Sequence, residues 1–145
     1  MSKTSRAKIA IPIIQILCVL SWDIYCRYFS HFSTLNTFNI YGIPIIISSI
    51  ATFLFCIFSS KELRFKELIW LSSPASLVYL ITYAILPSAD WLIENHETES
   101  NVFTVIIFFV FDIPLATLLL FANSSMGWLG LFLHTKLVMP QENSI

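Results

Sequence analysis

An all-α fold, a bundle of four membrane-crossing helices, is what the sequence predicts, on three observations. Hydrophobic residues make up 57% of the 145-residue chain and charged residues only 12%, against roughly 45–50% and about 25% in a soluble domain. Four apolar runs each approach the roughly 20 helical residues that a hydrocarbon layer about 30 Å thick requires. Basic residues gather on one side of those runs. The formal net charge of −1 leaves no basic field for nucleic acid. So little charge excludes a disordered chain and an ordinary cytosolic enzyme. The length fits one integral membrane domain, residues 1–145.

The spans follow in order. The first runs from Ile9 to Tyr28. Its apolar run exceeds the 7–15 residues of a signal-peptide core, and no small-residue cleavage site follows, so the sequence predicts a retained helix. The second runs from Ile40 to Phe58, the third from Leu68 to Leu86 and the fourth from Val102 to Phe121. None alternates as a barrel strand would. Helices pair their own backbone groups, as hydrocarbon demands. In the tail, 122–145, Ala122-Asn123-Ser124-Ser125 reads as a break before the apolar stretch Met126–Met139. That stretch is either an interfacial helix with Trp128 at headgroup level or an extension of span four. Its shortness favours the interfacial helix.

Charge predicts the orientation. Lys3, Arg6 and Lys8 precede span one, Lys61, Arg64 and Lys66 separate spans two and three, and Lys136 follows span four. Arg27 alone lies toward the other side. The loop Pro87–Asn101 carries Asp90, Glu94, Glu97 and Glu99 and no Lys or Arg. It is therefore expected outside, with both termini cytoplasmic.

Ionisable residues inside a span cost about 2.5–3.5 kcal/mol at mid-depth on insertion scales, so each raises a functional question. Asp112 falls near the middle of span four as drawn, just before Pro114. Ser72, Ser73, Ser76 and Tyr79 of span three are its expected donors. It reads either as a neutral, hydrogen-bonded structural acid or as a hook for a partner helix, and less readily as a proton or cation site. Asp23 and Arg27, four apart in span one, share a helix face as an ion pair. That pair is either locally neutralised or reads a charged partner. Tyr79 and Tyr83 share a face of span three, a spacing that more often serves packing. The candidate partner-binding residues are thus Asp23, Arg27, Tyr79 and Asp112.

Pro74 and Pro114 lie deep enough to bend their helices, whereas Pro12 and Pro44 lie near span starts. The only glycines are Gly42, Gly127 and Gly130. None makes a G-x-x-x-G within a span, so close helix packing is not expected, and this weighs against a transporter. His96 with Glu94 and Glu97 reads as a solvated face rather than a metal site. Cys18, Cys26 and Cys56 form no C-x-x-C. No phosphate loop or catalytic motif occurs. The expectation is a non-enzyme with no cofactor and no metal, whose partners are the bilayer and another protein.

The layout, the basic hairpin Lys61-Glu62-Leu63-Arg64-Phe65-Lys66, the stretch Leu71-Ser72-Ser73-Pro74 with Tyr79, and the string Asp23-Ile24-Tyr25-Cys26-Arg27 resemble the immunity proteins against pore-forming colicins of the A and N type. In this chain that last string ends span one, which departs from the expected place. The resemblance implies four spans, cytoplasmic termini, and the blocking of a toxin's pore-forming domain before its channel opens. Two alternatives remain: a small ion- or proton-coupled transporter, or an accessory subunit of a membrane complex, built around Asp112.

Overall fold

The computed structural model describes residues 3–28, 37–58, 63–85 and 101–137. These form four α-helices and one π turn: α1 (Lys3–Tyr28), α2 (Thr37–Phe58), α3 (Phe65–Leu80) continuing into the π turn Ile81–Ile85, and α4 (Asn101–Leu137). His31, Lys61, Glu62, Asp90, Glu94, His96, Glu97 and Glu99 lie outside the described residues, so the expected external loop and much of the basic hairpin are not placed.

Three helices contain stretches long and apolar enough to cross a membrane: Lys8–Tyr28, Asn39–Phe58 and Phe109–Lys136. The α-helical part of α3 has 16 residues, about 24 Å of rise. Its five-residue π turn carries the same run of chain further.

Cross-helix contacts fix the directions. Lys8 meets Glu67 and Gln15 meets Ser72, so α1 and α3 run the same way. Trp22 donates to the Asn39 carbonyl while Gln15 donates to Thr52, so α1 and α2 run oppositely. Asn123 meets Ser48 and Ser49, and His134 meets Ile57, so α2 and α4 are parallel. The bundle is up-down-up-down, with a lysine end (Lys8, Glu67, His134, Lys136) and a tyrosine end (Tyr41, Tyr79, Tyr83).

The helices present their large apolar side chains outward, as a lipid solvent favours. On α1, Ile9, Ile13, Leu17, Leu20 and Ile24 are exposed, while Ile11, Gln15, Val19 and Cys26 are buried. Two apolar clusters fill the interior. Val19, Ile45, Tyr79, Tyr83, Ala116 and Leu119 pack toward the tyrosine end. Ile11, Cys56, Leu63, Leu68 and Leu131 pack toward the lysine end.

Two expectations are corrected. The helix does not break at 122–125: α4 runs unbroken from Asn101 to Leu137, so the tail through Leu137 extends span four and is no separate interfacial helix. The reason is that the polar residues there are satisfied. Asn123 bonds across to α2, and Ser124 Oγ donates to the Leu120 carbonyl of its own helix. Close packing is also encoded. A methyl group at Gly130 would fall 2.6 Å from the Phe53 carbonyl oxygen and 3.0 Å from Cys56 Cβ, so α4 lies directly on the α2 backbone. Gly127, one turn earlier, faces Thr52, Leu68 and Cys56. The spacing of three, beyond the span end drawn from sequence, hid the motif.

Candidate functional site

A buried polar seam crosses the middle of the bundle. Gln15 of α1 donates through Nε2 to Thr52 Oγ1 of α2 and to Ser72 Oγ of α3, both at 3.0 Å. Thr52 Oγ1 in turn donates to the Ser48 carbonyl at 2.8 Å. Asn123 of α4 donates through Nδ2 to Ser48 Oγ and accepts at Oδ1 from Ser49 Oγ, each at 3.0 Å. Gln15, Ser48, Ser72 and Asn123 are fully buried. In hydrocarbon these groups have no water to turn to, so each helix is held to the others at one register. One seam atom, Gln15 Oε1, is without a partner among the described residues.

The lysine end is tied down. Lys8 Nζ lies 2.7 Å from Glu67 Oε1, joining α1 to α3. Glu67 Oε2 accepts the Arg64 N–H at 3.0 Å and so closes the first turn of α3. The Lys8 hydrogen bond, then the Arg64 N–H, hold the Glu67 carboxyl below its usual range. His134, 8% exposed, presents Nδ1 to the Ile57 carbonyl at 2.6 Å. A carbonyl only accepts, so that nitrogen carries the proton. Lys136 lies over the Phe132 ring, which stacks on Trp128.

The tyrosine end is different. Tyr79 and Tyr83 stack at 4.7 Å between centroids, and Tyr41 meets Tyr83 at 5.6 Å. Tyr79 donates to the Tyr41 carbonyl at 3.0 Å. Asp112 is 3% exposed and lies within electrostatic range of Tyr41 and Tyr79. Tyr83 lies within range of Asp23 and Arg27. Arg27 Nε grips both Asp23 oxygens, at 2.8 and 3.0 Å.

All four residues singled out from the sequence, Asp23, Arg27, Tyr79 and Asp112, thus gather at this one end. The Asp23–Arg27 pair forms as its spacing implies. The expected donors to Asp112 do not serve it. Ser72 accepts from Gln15, Ser73 donates to the Trp70 carbonyl, Ser76 to the Ser72 carbonyl and Tyr79 to Tyr41. Asp112 lies about 16 Å along the α4 axis from the seam at Asn123.

Gln15, Ser48, Ser49 and Thr52 carry no role in the sequence reading, and Asn123 enters it only as part of a helix break. Their signal is an amide or hydroxyl inside an apolar run. Among the described residues no cluster of His, Cys, Asp and Glu is arranged to hold a metal ion. No family model, characterised protein or solved structure matches the chain.

Proposed function

We propose that this chain is a four-span inner-membrane protein with both termini in the cytosol. It works as a binding module: an immunity or exclusion protein that packs against a membrane-inserting, pore-forming toxin before the channel opens. The single observation that carries the reading is the gathering of Asp23, Arg27, Tyr79 and Asp112 at one end, with Asp112 buried and without a donor among the described residues. A group left this way in lipid is a contact waiting to be completed, and a partner helix completes it by shape and a few polar bonds. Lys8, Arg64, Lys66 and Lys136 at the opposite end support the orientation, since positive charge stays inside. The tyrosine end then faces the side from which a toxin arrives.

The test is protection. Bacteria expressing the chain are challenged with a panel of pore-forming bacteriocins, and survival is expected to rise against one or a few. Unchanged killing across the panel ends the reading. The second reading, a proton- or cation-coupled transporter, is favoured by the same unserved Asp112 beside Pro114 and a π turn. Vesicles reconstituted with the chain would then carry a proton- or sodium-driven flux that Asp112→Asn abolishes. Absence of flux in the parent protein removes it.

A further inference from the structure

The described residues contain three carboxylates. Asp23 holds Arg27, and Glu67 holds Lys8. Asp112 holds no cation and no hydrogen-bond donor among the described residues, although it is as buried as the seam. Its surroundings share the deficit. Pro114 offers no N–H to the Val110 carbonyl, and no described side chain serves that oxygen. The equivalent carbonyl freed by Pro74, that of Trp70, takes the Ser73 hydroxyl at 2.9 Å. Tyr79, within electrostatic range of Asp112, stacks on Tyr83, whose Oη is buried without a partner among the described residues. The π turn that carries Tyr83 packs against α4, and π turns concentrate where a helix is shaped for a ligand. On α4, Val110, Phe111 and Ile113 around Asp112 are half or more exposed and form an apolar surface for a neighbouring helix.

We propose that Asp112 is the docking point for a cationic side chain, a lysine or arginine borne by a partner's membrane-inserted helix that packs where the π turn meets α4. The inference rests on the binding-module reading and names the chemistry of its partner. Charge complementarity selects the occupant. Oxygens predominate here, so the ligand must bring donors, and an ammonium or guanidinium brings three or five. A long flexible stem lets such a group reach a recessed carboxylate while its own helix stays in lipid.

The experiment uses the full chain reconstituted in phosphatidylcholine vesicles, where no anionic lipid competes for the cation. The probes are labelled leucine-rich helices of about 20 residues, identical except for one position in the outer half: Lys, Leu or Glu. Association is read by energy transfer. The Lys helix is expected to bind roughly tenfold tighter than the Leu helix, and the Glu helix weakest. Asp112→Asn is expected to erase the Lys preference, and Asp112→Glu to keep most of it. Equal binding of the Lys and Leu helices to the parent chain overturns the proposal without recourse to any variant. So does a Lys preference that survives in a folded Asp112→Asn protein. A Lys preference without protection in the bacteriocin challenge sinks the toxin reading and leaves the site. Protection without the preference sinks the site and leaves the reading.

Discussion

The two ends of the bundle are built to different standards. At the lysine end and across the seam, nearly every buried polar group has a partner. Glu67 holds Lys8 and the Arg64 N–H, His134 holds a carbonyl, and Asn123 joins two serines. At the tyrosine end Tyr83 Oη is buried without a partner, and Asp112, 3% exposed, meets no hydrogen-bond donor among the described residues; a π turn carries the first and a proline follows the second. Gln15 Oε1 apart, one half of the molecule spends its buried polar groups on itself, and the other leaves a carboxyl and a hydroxyl unanswered among the described residues. In lipid, where an unmade bond has no water to fall back on, the second arrangement is costly and suits a site awaiting a partner.

The largest expected effect tests whether the lysine half is the rigid one. Gly130→Leu forces side-chain atoms into the Phe53 backbone, which cannot yield without parting α2 from α4. A loss on the order of 1–3 kcal/mol is expected, seen as a lower unfolding midpoint in detergent. Gly127→Ala meets only the side-chain atoms of Thr52 and Leu68 at 3.2 and 3.3 Å, which can shift, and should cost less. If the two variants unfold alike, the close approach at Gly130 is not what holds this half together.

How far the sequence discloses this contrast depends on the residue. The four helices were legible because apolar runs of about 20 residues have few other uses. The Asp23–Arg27 pair was legible because its geometry is local. Gly127 and Gly130 were not, since their role depends on which backbone lies opposite. Asn123 and Ser124 looked like a helix break because both are weak helix formers, and cross-helix bonding to Ser48 and Ser49 overrides that preference.

The sharpest form of the comparison sets Asn123 against Asp112, both buried on α4. Asn123→Ala leaves the Ser48 and Ser49 hydroxyls short of a partner and should cost about 1 kcal/mol, within the range measured for polar contacts between membrane helices. Asp112→Asn removes a carboxyl that no described cation or donor in the bundle answers. It should leave the unfolding midpoint unchanged or raise it, while protection against toxin falls. Opposite signs in stability mark two kinds of buried polar residue, one structural and one held for a partner. A stability loss at Asp112 as large as that at Asn123 would make the acid a structural residue.

The smallest effect lies at the Lys8–Glu67 bridge, which is solvent-exposed and therefore screened. Because folding holds the Glu67 carboxyl below its usual range, the bridge contributes fully above the ordinary value of about 4.5. It is lost as pH falls through the depressed folded value, where the carboxyl takes a proton and both hydrogen bonds weaken. The unfolding midpoint of the parent chain should therefore decline below that ordinary value by more than that of Glu67→Gln, and the two curves should converge in acid. Above it the variant should sit only slightly lower, and added salt should narrow the gap. An Asp112→Asn chain should keep the whole of this acid-dependent difference, since that residue lies at the other end of the bundle. Loss of the difference in Asp112→Asn would mean that the two ends are coupled, and the division between them would fail.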